Sequence, residues 1–159
     1  GGYRWHESRN VSLNASQMDF SDGNQRNAFD VSWMEGLLAS ATYTLESTVE
    51  YYASRNSSQS PLINYFNPVS DEQIGITLRN EWLQYHRYEK SLKHVLSIGV
   101  GNYAQSNFAT GGVLNIKYEL IHTHSDRLEL RYGIVRTVHP YDGVRVTGNA
   151  LTFGAGWRF

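Results

Sequence analysis

Six carboxylates stand on the polar side of segments in which polar and apolar residues alternate: Asp30, Glu46, Glu50, Glu81, Glu119 and Glu129. Arg79, Lys117, Arg131 and Arg158 share that side, so acids modestly outnumber bases. Carboxylates spread along a wet wall attract passing cations by Coulomb steering, each only weakly. Weak and multiple sites suit passage, because they release as well as bind. The same residues also suit structural ion-pair ladders between strands, for example Lys117 and Arg131 with Glu119 and Glu129. Tyr52 and Tyr103 lie on the polar side too. There a ring can stack on the C–H face of a sugar or hydrogen-bond the wall. Tyr65 and Phe66 give a long polar loop an apolar centre, which suits either a lid or a loop packed on a rim. His122 and His124 make an H-x-H pair with no third ligand evident, so no metal site is expected. There is no G-x-S-x-G, no phosphate-binding glycine loop and no H-E-x-x-H, and no cofactor is expected.

The elements that must position these groups are strands. Alternation marks Gly2–Ser8, Val11–Phe20, Arg26–Leu37, Thr42–Ser54, Glu72–Arg87, Leu92–Gln105, Gly112–His122, Arg127–Arg136 and Val144–Phe159. The last is the clearest: Leu151, Phe153, Ala155, Trp157 and Phe159 fall on one face, and Thr152, Gly154, Gly156 and Arg158 on the other. Asp22-Gly23-Asn24 reads as a tight turn. Arg55–Asp71 reads as the long break, and Thr137–Gly143 as a loop. No segment has a convincing helical period. The chain of 159 residues is one domain, 1–159, of about eight to nine strands joined by hairpins.

Composition narrows the class. The formal charge of −1 gives no basic footprint for nucleic acid, and the absence of cysteine removes disulfides and thiolate sites. No apolar run approaches the roughly 20 residues of a membrane helix, whereas a barrel strand needs only about 10, half of them polar. The N-terminal GGYRWHES lacks the basic start and apolar core of a signal peptide, so the chain reads as a mature or trimmed piece. The expected fold is all-β, an antiparallel up-and-down transmembrane β-barrel in the bacterial outer membrane, its outer face against lipid. If the C-terminus ends at the periplasm, the short turns are periplasmic and Arg55–Asp71 is extracellular. Trp5, Trp33, Trp82 and Trp157 then all fall near periplasmic strand ends, where indole prefers the interface. A soluble lipocalin-type barrel leaves that placement unexplained. An outer-membrane acyl hydrolase or protease, or a general porin, remains as an alternative, though no Ser or His pairs into a nucleophile–base arrangement.

The stretches Gly2–Asn10 (GYRWHESRN), Asp22–Asn27 (DGNQRN), Asn64–Pro68 (NYFNP), Tyr85–Ser91 and Tyr141-Asp142-Gly143 together resemble the barrel of the poly-β-1,6-N-acetyl-D-glucosamine (PGA/PNAG) export porins of Gram-negative bacteria. The resemblance covers essentially the whole chain. It implies a non-catalytic biofilm exopolysaccharide channel, with a sixteen-stranded barrel of which this chain is the C-terminal half. It also implies a preceding periplasmic tetratricopeptide-repeat region, absent here, through which a periplasmic deacetylase would be met. The polymer's scattered ammonium groups are then the cations for the acidic wall.

Overall fold

The computed structural model describes residues 1–6, 8–58 and 65–158, with Arg4, Trp5 and His6 described by their backbone alone. Every regular element among them is a strand: β1 (Gly2–His6), β2 (Arg9–Asp19), β3 (Gln25–Ala39), β4 (Tyr43–Asn56), β5 (Ser70–Arg87), β6 (Lys90–Gln105), β7 (Gly111–Thr123), β8 (Leu128–Tyr141) and β9 (Val144–Trp157). They form a single antiparallel meander in chain order, β1 to β9, with β1 and β9 at its open edges.

Register converts the alternation into two faces. On the outer face, Trp33 pairs with Val49, Val49 with Ile76, Ile76 with Val100 and Val100 with Leu114. These side chains find little protein to cover them: Leu151 is 85% exposed and Phe153 70%. A stripe this apolar and this bare is a surface for lipid. The other face is concave, because Gln73 on β5 reaches His139 on β8 across two intervening strands, Nε2 to Oε1 3.2 Å.

The ends of the sheet differ. One carries short turns, at residues 40–42, 88–89 and 124–127; the other carries the long connection 57–69. Barrel asymmetry makes the first end periplasmic and the second extracellular. The three register irregularities, at Arg4/His6, Gly36/Leu38 and Leu83/Tyr85, all lie at the short-turn end, as bulges at barrel rims do. Trp33, Trp82 and Trp157 share the outer face, Trp82 and Trp157 toward that end and Trp33 near the middle of β3. Trp82 stacks on His94 with ring centroids 5.0 Å apart, and the Trp33 indole donates to Glu35, 3.2 Å. The expected position of Trp5 in this ring concerns a side chain outside the described set.

The connections match the expected ones at the β2–β3 turn and differ most at the long break and before β9. Gly23 has the positive φ that a tight turn needs, as read from Asp22-Gly23. Arg55 and Asn56 extend β4, and Ser70 and Asp71 open β5, so the long break shortens to 57–69. The loop read at Thr137–Gly143 is instead the continuation of β8. Asp142 (φ 50°) and Gly143 (φ 75°) make a two-residue hairpin turn, and Tyr141 pairs directly with Val144.

The two faces respond differently to charge. Ile76→Arg, on the lipid side in mid-strand, should cost about 2–4 kcal/mol, whereas Thr48→Arg on the concave side should cost far less. Urea unfolding of the full-length protein in lipid vesicles, followed by heat-modifiable gel mobility, checks this.

Candidate functional site: the concave face and its strap

Toward the short-turn end, the concave wall is a ladder of ion pairs. Arg79 on β5 reaches Glu46 on β4 (3.1 Å) and Glu81 on its own strand (2.6 Å); Lys93 on β6 reaches Glu81 as well (2.6 Å). Lys117 pairs with Glu119 (2.8 Å) and Arg131 with Glu129 (2.8 Å). The last two pairs run along β7 and β8 rather than across strands as expected. All are partly exposed, so each contributes about 0–1 kcal/mol. Their larger effect is on the field: four of the six candidate acids are neutralised by a neighbour. Asp30 and Glu50 have no cationic partner among the described residues and stand diagonally on β3 and β4, where Asp30 pairs with Tyr52 and Ser32 with Glu50. Arg158 ends the same face, its backbone N–H donating to the Arg127 carbonyl (2.9 Å).

Toward the other end, the wall is braced around Asp71, which is 5% exposed. Its carboxylate accepts from Ser54 Oγ, from Tyr103 OH (3.1 Å) and from Arg26 Nη2 (3.4 Å). Arg26 also donates to Ser54 Oγ and to Tyr52 OH, both at 3.1 Å. A charge this buried needs such partners. The hydroxyls of Tyr52 and Tyr103 are therefore engaged in the wall, and the Tyr103 ring is buried. His139 lies between Tyr103 and Tyr141, with ring centroids 4.4 Å from each. Its Nε2 lies 3.2 Å from the Gln73 side-chain amide, which ties β8 to β5.

A strap crosses this end. Its hub is Asn24, 1% exposed, in the β2–β3 turn. The Asn24 amide nitrogen donates to Asn67 Oδ1 (2.9 Å), Tyr65 OH (3.0 Å) and Asn56 Oδ1 (3.3 Å), and its oxygen accepts from the Ser58 N–H (2.9 Å). Tyr65 stacks on Phe20 at 4.7 Å and donates to Asp22 Oδ2 at 3.0 Å. Desolvation, joined by the Asp22 carboxylate, holds the Tyr65 hydroxyl above the ordinary phenol range, so it stays a donor at neutral pH. Asn56 Nδ2 donates to the Pro68 carbonyl, 2.6 Å. The next residue along, Phe66, meets Tyr141 of β8 edge-on at 5.3 Å. Tyr65 thus anchors on the β2–β3 turn while Phe66 reaches β8, so these two neighbouring residues bridge the concave side. Ile63 and Asn64, read as part of the same apolar centre, lie outside the described residues. Gln105 ties β6 to the β8–β9 turn by two bonds with Asp142 (2.5 and 3.0 Å).

Below the strap lies a groove of about 480 Å3, lined by Glu50, Gln73, Thr77, Gly99, Asn115 and Thr137 among others. The His122 and His124 rings meet edge-on at 5.9 Å, and among the described residues no cluster of His, Asp and Glu suits a metal. Sequence alone did not single out Asn24, Arg26, Asp71 or His139. The available signal was Asp142-Gly143: read as a hairpin turn, it carries β8 on to Tyr141 and puts His139 and Tyr141 on the inner face.

Asn24→Ala should lower stability by about 1–3 kcal/mol, because it removes the hub's hydrogen bonds to Asn67, Tyr65 and Asn56. Limited proteolysis of the full-length protein should then cut within 57–69 first, while cleavage at the short turns stays unchanged.

The comparisons bear on the same wall. No curated protein matches the chain. A solved structure described as a bacterial polysaccharide outer membrane secretin superposes with a TM-score of 0.92 at 24% identity, over 99% of this chain and 54% of that one. The chain thus spans about half that protein's length, and at this identity the likeness speaks for the fold. The family model described as the PgaA membrane beta barrel domain matches residues 2–159. With its lipid-facing outer stripe and all-next-neighbour strands, the chain is part of the wall of a bacterial outer-membrane barrel, and it belongs to the PgaA membrane beta barrel domain family.

Proposed function

We propose that this wall lines a channel exporting partially de-N-acetylated poly-β-1,6-N-acetyl-D-glucosamine for biofilm formation. Residues 1–159 form the C-terminal part of a sixteen-stranded barrel, and the preceding repeat region meets a periplasmic deacetylase. The channel is a passive, non-enzymatic conduit without a cofactor, and synthesis on the inner side drives the polymer. One observation supports this most: within a membrane barrel of this family, Asp30 and Glu50 carry carboxylates on the concave face with no cationic partner among the described residues. Scattered ammonium groups of the polymer are attracted there, by about 1 kcal/mol per close contact in water. Glu46, Glu81, Glu119 and Glu129 contribute mainly through the paired ladder. Tyr52 and Tyr103 line the channel as braces, and Tyr65 and Phe66 hold the strap that gates it.

Combining Asp30→Asn with Glu50→Gln should lower export of the de-acetylated polymer severalfold, measured as secreted against cell-retained polymer by immunoblot. Glu119→Gln and Glu129→Gln should change it little. Export at the wild-type level in the first variant would sink the acidic track. For the gate, Asn24→Ala should raise the single-channel conductance of the full-length protein in planar bilayers; an unchanged conductance would mean that the strap is fixed.

A further inference from the structure

The groove below the strap has a chemistry that the acidic track does not use. Its floor is where β5 and β6 give up their side chains: Gly75 pairs with Gly101, and Thr77 with Gly99. The floor cannot be otherwise at Gly101, where a Cβ would collide with the Ile74 carbonyl oxygen and come within 2.9 Å of the Gly75 Cα. From Gly99 the hydrogen-bonded row continues to Asn115, then Thr137, then Gly148. Nothing in that row carries a charge. The ladder lies toward one end and the Asp71 brace toward the other, so this stretch is a neutral belt between two charged ones.

The belt's polar groups are also idle. The Thr77 and Thr137 hydroxyls and the Asn115 amide make no hydrogen bond to another protein group among the described residues. Each threonine hydroxyl leans over a neighbouring glycine: a Cβ on Gly99 would sit 2.8 Å from Thr77 Oγ1, and one on Gly148 2.9 Å from Thr137 Oγ1. Unspent donors and acceptors converging on a flat, side-chain-free floor are the usual make-up of a small-ligand site, and about 480 Å3 lies within the usual range. An ammonium gains little there, since no fixed anion faces it except Glu50 at the groove's edge. An uncharged polyol gains more. Its ring face lies on the glycine floor and its hydroxyls or acetamido group meet Thr77, Asn115 and Thr137.

We propose that this glycine-floored groove is a subsite for uncharged pyranose rings, which in the exported polymer are the units that keep their N-acetyl groups. It rests on the export reading for the identity of the sugar. The wall then divides the work: carboxylates meet the charged units and the belt meets the neutral ones. Both kinds of contact stay weak enough to let the chain advance.

The test uses the full-length protein in detergent and two short β-1,6-linked glucosamine oligomers, one fully N-acetylated and one fully de-acetylated, with binding followed by saturation-transfer NMR. Combining Thr77→Val, Asn115→Leu and Thr137→Val keeps the volume of the belt and removes its hydrogen bonds. This variant should bind the acetylated oligomer roughly tenfold more weakly and the de-acetylated one nearly as before. Thr137→Val alone should give a smaller step in the same direction, which keeps the test usable if the triple variant fails to insert. Glu50→Gln should give the opposite pattern. Wild-type affinity for the acetylated oligomer in both belt variants overturns the inference, as does a wild-type protein that binds only the de-acetylated oligomer. In either case, polymer export by cells carrying the wild-type protein would leave the export reading standing. A wild-type protein that neither exports the polymer nor binds either oligomer overturns both.

Discussion

Hydrocarbon offers no partner to a peptide N–H or C=O, so a chain that meets lipid must pair its backbone within the wall. The continuous antiparallel ladder from β1 to β9 meets that demand strand by strand. Once the ladder is fixed, period two decides which chemistry each face can carry. Ile76 cannot face lipid without Thr77 facing the interior, and the same holds for Phe153 and Thr152. The interior chemistry is thus the remainder of a lipid-driven choice, and its polarity comes with the fold.

An interior lined with polar residues has its own difficulty. Charges held at fixed places on a curved wall must be compensated where water is displaced. The two ends solve this differently. At the short-turn end the side chains stay partly exposed, and alternating acids and bases suffice: Glu46, Arg79, Glu81 and Lys93 make one connected set across three strands. At the strap end Asp71 is buried, and it takes a serine, a tyrosine and an arginine to hold it. Removing the arginine there is expected to cost far more than opening any pair of the ladder, because it strands a buried charge.

The difference between the ends also explains how far the chain could be read from its residues. Strand identity and facing were legible because both follow from alternation: Tyr43 to Tyr51, Leu114 to Leu120 and Leu151 to Trp157 each keep parity over their length. The acids of the ladder were legible as inward-facing for the same reason. The brace was not. Arg26 and Asp71 are 45 residues apart and Asn24 and Asn67 are 43 apart, and only the register brings them together. Local chemistry misled at one place. Pro140 argues against a strand, since it cannot donate to a ladder, yet it sits just before Tyr141, the last residue of β8, and pairs with Arg145 near the sheet's end. Treating that segment as a loop hid His139 and Tyr141, and with them one side of the strap.

The strap and the groove arise from a single feature, the loss of side chains in mid-wall. Where β5 and β6 carry Gly75, Gly99 and Gly101, the inner surface recedes, while at the strap end Tyr103, His139 and Tyr141 fill the concavity. The wall therefore narrows from the groove toward that end through stacked rings. Phe66 needs the edge-on contact with Tyr141 to reach across, and Tyr141 is held in place by His139, which Gln73 orients in turn. The aromatic stack thus lies between the groove and the strap.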